Sequence, residues 1–211
     1  MGLEAARAKL VNRLSQEISD KRVLSAMAGV PRELFIPPDY YHSAYEDRPL
    51  DIGFGQTISQ PFIVALMTQA LELKGSEKVL EIGTGRGYQT AILAKLAKWI
   101  VSVERIPQLV ESARQVLNKL GHANIEIHMA EKTLGWSTGA PYDAIIVTAA
   151  APRVSGKLVD QLVLGGRLII PVGSKWEQSL LRVTKKKKRN VIENLGGCRF
   201  VPLIGDDAWD E

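Results

Sequence analysis

Apolar residues in the first eighteen positions recur at helical spacing. Leu3, Ala6, Leu10, Leu14 and Ile18 share one side of a 3.6-residue repeat, which predicts an amphipathic N-terminal helix. A second short helix is expected over 21–28, ending before Pro31. Residues 35–60 show no period, and Pro37, Pro38, Pro49, Gly53 and Gly55 interrupt them. A loop that long inside a folded domain tends to be functional. From Pro61 the pattern regularises, and a helix over 61–73 should present Phe62, Ile63, Leu66, Met67 and Ala70 on one side. Strand-like runs at 78–82, 100–104, 125–129, 144–148 and 167–171 then alternate with helical runs at 88–96, 107–120 and 155–161. That alternation predicts an α/β fold, a doubly wound parallel sheet with helices on both faces. Three more strand-like runs, 179–184, 191–194 and 199–203, follow without helices, so an antiparallel addition is expected at the C-terminal end. The whole reads as one domain over 1–211: N-terminal helices and a loop to residue 60, an α/β core over 61–173, and terminal strands from 174.

The apolar run 78–82 opens into Gly83-Thr84-Gly85-Arg86-Gly87 just before a helix. Glycines at alternate positions let the backbone turn tightly and approach a ligand, and free N–H groups at the helix start favour an electron-rich partner. Glu104 ends the next strand about twenty residues beyond the first glycine, where a carboxylate accepts hydrogen bonds from ribose hydroxyls. Spacing alone therefore gives an adenosine-type cofactor. It does not separate nicotinamide, flavin and S-adenosylmethionine sites, all of which use such a turn.

Longer motifs carry a resemblance. Residues 79–90 (VLEIGTGRGYQT) and 102–107 (SVERIP) are similar to cofactor motifs of the protein-L-isoaspartate O-methyltransferases, and residues 55–61 (GQTISQP) resemble that family's substrate-side motif. Residues 142–152, 165–173 and 200–203 fit in the same order, so the resemblance runs from about Val30 to Trp209. It implies a Rossmann-like methyltransferase domain, S-adenosylmethionine as methyl donor, and isoaspartyl-containing proteins and peptides as acceptors. Gly83, Gly85 and Gly87 would lie beside the methionine moiety and Glu104 on the ribose. Glu81, Thr84 and Arg105, which belong to the same motifs, count among the implied cofactor contacts. Where the family usually has Gly-Asp-Gly, this chain has Ala130-Glu131-Lys132. Glu131 must then reach the adenine with one more methylene. Lys132 stands where a glycine of positive φ is expected, which costs a non-glycine residue roughly 1 kcal/mol.

An isoaspartyl residue carries a free α-carboxylate that is already ionised at pH 7, so no general base is needed. His42, His122 and His128 are scattered accordingly, and no metal-ligand pattern is read. At about 4 Å and an effective dielectric near 20, a carboxylate and a sulfonium attract by roughly 4 kcal/mol before desolvation. A tightly paired Arg or Lys would hold the carboxylate in its ground state, so neutral donors suit the site better. Ser59 matches the family's substrate-side serine and is the catalytic candidate, with Gln56, Thr57, Ile58 and Gln60 shaping the acceptor turn. Ser59 also stands just before Pro61, where an N-cap serine belongs. Val201, Pro202 and Leu203 resemble the segment that lines the acceptor groove. Trp136 and Tyr88 read as packing residues, and Asp51 as a solvated loop residue.

Composition alters this picture little. The net charge of +4 is mild, and its excess gathers in 185–189, the expected tip of a hairpin. No aromatic residues interleave with the basic ones, so nucleic acid is not expected as a partner. One cysteine, Cys198, permits no internal disulfide, and charges throughout the first twenty residues argue against a signal peptide or membrane helix. A cytoplasmic monomer is expected. The rival readings are a methyltransferase for a small molecule or RNA base, a nicotinamide-dependent oxidoreductase, and a non-catalytic module that binds isoaspartyl sites, the last favoured by Ala130-Glu131-Lys132.

Overall fold

Helix α1 (Leu3–Leu14) buries Leu10 and Leu14, and Ile18 is buried beyond the helix end. Helix α2 (Lys21–Ala28) starts at Asp20, whose carboxylate accepts from the N–H of Arg22 at 2.8 Å and of Val23 at 3.4 Å. The computed structural model describes residues 2–210; Met1 and Glu211, the expected domain limits, lie outside them. The stretch expected to be irregular is more ordered than its prolines and glycines imply. It holds 3-10 turns at Arg32–Phe35 and Pro38–Ser43 and a hairpin of β1 (Leu50–Gly53) and β2 (Gln56–Ile58). Leu50, Ile52 and Ile58 anchor that hairpin in the core. Its reversal is the two-residue turn Phe54-Gly55, with φ of +59° and +68°.

Helix α3 (Pro61–Ala70) opens with proline at its first position, as the fixed φ of proline favours. Pro61, Val64, Ala65, Met67, Thr68 and Ala70 are its buried residues; Met67 and Ala70 lie in the core as expected, whereas Phe62, Ile63 and Leu66 of the same stripe are only half-buried. The Gln69 side chain accepts from the N–H groups of Ser19 and Asp20, both at 2.8 Å, and ties α3 to the head of α2.

After α3 come β3 (Lys78–Ile82), α4 (Tyr88–Ala94), β4 (Trp99–Glu104), α5 (Pro107–Lys119), β5 (Ile125–Met129), β6 (Tyr142–Val147), α6 (Gly156–Asp160), β7 (Leu162–Gly173), β8 (Gln178–Thr184) and β9 (Val191–Cys198). They build a seven-stranded sheet in the order β5-β4-β3-β6-β7-β8-β9, parallel through β7 and antiparallel at β8 and β9. Its faces are covered unequally. Val79, Ile100 and Ile146 pack with residues of α1 to α5, whereas Leu80, Val101, Ile145 and Val147 meet only α6 and loop residues such as Leu134 and Leu203. Residues 199–203 do not form the expected strand. Pro202 lacks an N–H, and the segment instead clasps Ala150, which donates to the Val201 carbonyl and accepts from the Leu203 N–H, each at 2.8 Å. The chain leaves β3 for β4 on one side and returns to β6 on the other. That reversal opens a crevice at the carboxyl ends of the strands.

The parallel register sets Glu81 opposite Ser102, and Glu81 is fully buried. Ser102 and Thr90 both donate to its Oε2, at 2.6 and 2.5 Å, and Thr84 in turn donates to Ser102 at 2.6 Å. Oε1 has no partner among the described residues. Burial pushes the Glu81 carboxyl up to about 7, the two hydroxyls pull it back, and the charge of Glu104 adds to the rise.

Two outcomes follow from these positions. A raised native pKa means that Glu81 favours folding below its unfolded pKa and that this contribution is lost as pH rises through about 7. Glu81→Gln should therefore flatten the fall in stability between pH 5 and pH 8 by an amount on the order of 3 kcal/mol. Urea denaturation at both pH values reads it, and an unchanged slope rejects the assignment. Phe54 occupies a left-handed position that suits asparagine. Phe54→Asn should stabilise the fold by about 1 kcal/mol, which calorimetry would read as a Tm raised by roughly 2–4 °C.

Candidate functional site

The crevice forms a cleft of about 710 Å3, open solvent at its mouth included. Gly83 makes it possible. Its φ is +96°, and a Cβ there would fall 2.2 Å from the Thr148 Oγ1. That hydroxyl reaches the carbonyl of Gly83 at 2.7 Å and of Ile82 at 3.1 Å, fixing the end of β3 against the end of β6. Glu104 lies on the opposite wall. Its Oε2 accepts from the Gly85 N–H at 2.9 Å, and its Oε1 accepts from the N–H of Arg105 at 2.9 Å and of Ile106 at 3.1 Å. Three backbone donors orient the carboxylate, and its remaining lone-pair capacity suits hydroxyl donors. Arg105 and Glu131 line the same cleft.

Other residues expected to hold the cofactor lie elsewhere. Glu81 is sealed in the interior, and Thr84 lines a neighbouring cavity with its hydroxyl turned onto Ser102. Gly87 does not line the cleft; a Cβ there would come within 3.0 Å of the Leu117 Cδ1, so this glycine serves the close packing of α4 on α5. Lys132 faces a neighbouring cavity together with Arg153 and Lys157. Its φ is not positive, so the anticipated strain is absent, and its carbonyl accepts from the Asp206 N–H at 2.8 Å.

A second cavity of about 400 Å3 adjoins the first, sharing Ile52, Thr57, Gly83, Gly85 and Thr148 with it. Ile58 and Ser59 line this one. Ser59 is half-buried, and its hydroxyl has no hydrogen-bond partner among the described residues. It is not the helix cap. The cap position of α3 belongs to Gln60, whose side chain makes no cap bond, and Asp47 accepts from the Phe62 N–H at 2.8 Å instead. The other oxygen of Asp47 accepts from Gln60 at 3.1 Å and from Arg13, which turns Gln60 away from both cavities. Gln56, Val201, Pro202 and Leu203 line the first cleft rather than the one that holds Ser59. Tyr88 is buried beneath Arg32, whose guanidinium lies 5.0 Å from its ring centroid, and Trp136 stacks on His128 at 4.2 Å.

Sequence reasoning missed Thr148, Asp47 and Arg86. Thr148 follows an ordinary apolar strand, and only the pairing of β6 with β3 reveals its role. Asp47 lies fifteen residues before the N–H it caps, too far for a local capping pattern. Arg86 was visible between two glycines, and the structure puts it on the wall of the second cavity.

A family model described as protein-L-isoaspartate(D-aspartate) O-methyltransferase matches residues 5–208. A protein-L-isoaspartate O-methyltransferase of Geobacter metallireducens is 51% identical over 212 residues, covering 99% of this chain and 98% of its own. One from Dictyoglomus thermophilum is 52% identical over 209 residues, covering 99% and 95%. A solved protein-L-isoaspartate O-methyltransferase gives a TM-score of 0.87 at 30% identity, over 96% of this chain and 67% of that one. A Plasmodium falciparum structure, described as an enzyme of this kind in complex with S-adenosyl-L-homocysteine, gives 0.80 at 27% identity, over 92% and 96%. With motifs, fold and relatives in agreement along nearly its full length, the chain belongs to the protein-L-isoaspartate(D-aspartate) O-methyltransferase family.

Proposed function

We propose that Ser59 orients the α-carboxylate of an L-isoaspartyl residue at the junction of the two cavities, where the methyl group is transferred. The observation that carries this is the unpartnered Ser59 hydroxyl in a cavity contiguous with the glycine-lined cleft. The activity itself is that of the family: the enzyme methylates isoaspartyl residues of proteins and so begins their repair. S-adenosylmethionine supplies an electrophilic methyl group when bound. Gly83, which lines the cleft, and the oriented Glu104 carboxylate fit such a group; Gly85 and Glu131 complete the wall that would hold it.

What the chain must do is bind, align and exclude water. The acceptor carboxylate arrives ionised, and no side chain has to remove a proton from it. The Ser59 hydroxyl donates to one of its oxygens and leaves the other free to attack. Ile52, Ile58 and Val64 keep that wall apolar, and alignment supplies most of the acceleration. The resulting ester is a better leaving group than a carboxylate, so the next backbone amide can close a succinimide ring unaided, and hydrolysis returns some normal aspartate.

The acceptors in this reading are polypeptides, not nucleic acid. The basic run 185–189 joins β8 to β9 beside Gly165 and Gly166, at the edge of the sheet opposite the cleft. Monomeric action is supported by Leu10 and Leu14 of α1, which are buried in the chain's own core. Among the described residues no helix is long and apolar enough to cross a membrane, and a lone cysteine needs no oxidising compartment, which accords with a cytoplasmic setting.

Labelled methyl transfer to two peptides that differ only in L-isoaspartate or L-aspartate tests the reading. Base-labile label is expected on the isoaspartyl peptide alone, and label on neither rejects it. Because Ser59 caps no helix, Ser59→Ala should leave stability and cofactor affinity intact while lowering turnover about tenfold or more. Turnover equal to that of the parent enzyme removes Ser59 from the mechanism.

A further inference from the structure

We propose that Arg86 is a carboxylate-binding residue of the cavity that holds Ser59, an inference that rests on the methyltransferase reading and extends it. Arg86 sits between Gly85 and Gly87, whose φ values are +55° and +97°. The turn is held by the Gly87 N–H donating to the Thr84 carbonyl at 2.9 Å and by the Gly85 N–H on Glu104. Its backbone is thus fixed, and its side chain lines the cavity with Ser59, Thr57 and Gln89. The Nε atom is shut from solvent yet has no hydrogen-bond partner. No carboxylate, ring or carbonyl among the described residues pairs with this guanidinium.

A purely structural role is the competing reading, and Arg32 illustrates it. That arginine also has buried nitrogens without partners, but it lies over the Tyr88 ring and reaches the Arg48 carbonyl at 3.4 Å. Arg86 has neither. Among the described residues it is also the only charged side chain lining its cavity, whose other polar groups are hydroxyls and the Gln89 amide. An unpaired cation facing a neutral pocket favours an anion, and a guanidinium N–H donates well to a carboxylate oxygen. The reaction brings two carboxylates to this region: the α-carboxylate of the acceptor and that of the amino-acid end of the methyl donor. A single guanidinium N–H that engages one oxygen leaves the second free, so the contact binds without blocking attack. Its effect should fall on affinity, not on kcat.

The test compares Arg86→Gln and Arg86→Lys with the parent enzyme by titration calorimetry and steady-state kinetics. The ligands are S-adenosyl-L-homocysteine, 5′-methylthioadenosine, which lacks the amino-acid end, and an isoaspartyl peptide. A Kd for S-adenosyl-L-homocysteine raised about tenfold or more by Arg86→Gln, with that for 5′-methylthioadenosine unchanged, assigns the donor carboxylate. An unchanged S-adenosyl-L-homocysteine Kd with peptide KM raised about tenfold at constant kcat assigns the acceptor. Arg86→Lys, which keeps the charge, should lose less in either case. Unchanged constants throughout, or equal losses for both adenosine ligands, overturn the proposal while leaving the methyltransferase reading in place. Failure of the parent enzyme to bind S-adenosyl-L-homocysteine would strike that reading itself.

Discussion

At the carboxyl end of β3, the backbone passes so close to Thr148 that Gly83 has no room for a Cβ, and most of the site depends on that approach. The Thr148 N–H donates to the Ile82 carbonyl at 2.9 Å, while its hydroxyl reaches the carbonyls of Ile82 and Gly83. From the other side, the Gly83 N–H donates to the Val103 carbonyl at 2.9 Å. The turn is therefore held between β4 and β6 before any ligand arrives. This gives the cleft a rigid floor at the place where the strand order reverses, and both cavities share it.

The cavity that holds Ser59 is assembled from pieces far apart in sequence. Asp47 is the pin: its carboxylate, with side-chain exposure of 3%, receives the first turn of α3, the Gln60 amide and the Arg13 guanidinium. That relieves Ser59 of a capping duty and leaves its hydroxyl free for the cavity. The hairpin above it is anchored by Leu50, Ile52 and Ile58 and turned by a phenylalanine in a left-handed conformation, so a locally unfavourable turn persists because the core holds both strands.

Three charged groups near the site show how environment divides their roles. Glu104, at the end of a strand, is oriented by three backbone N–H groups and borders the cleft. Glu81, two residues before the turn, is enclosed behind it, and burial holds its carboxyl near neutral pH. Arg86 has its charge turned to the cavity with nothing to pair it. The expectation that neutral donors suit the acceptor carboxylate better meets a guanidinium on the wall of the cavity that holds Ser59.

The sequence by itself determined the elements whose signals are local. Strands 78–82 and 125–129 begin and end where their apolar runs do, and proline at the first position of α3 and α5 marks those helix starts. It also marked the glycine-rich turn between β3 and α4, and the longer motifs around that turn, not the glycines alone, pointed to the family. Tertiary structure alone decided the rest. Whether Ser59 caps a helix or faces a cavity turned on Asp47, and which glycines line the cleft turned on what stands opposite each: Thr148 for Gly83, Leu117 for Gly87. Residues 199–203 became a clasp on Ala150 because Pro202 cannot extend a strand ladder and Val201 and Leu203 are already engaged there. Spacing along a chain records which residues share a face; only the folded sheet brings together partners separated by tens of residues, and those pairings decide which side chain is left free to act.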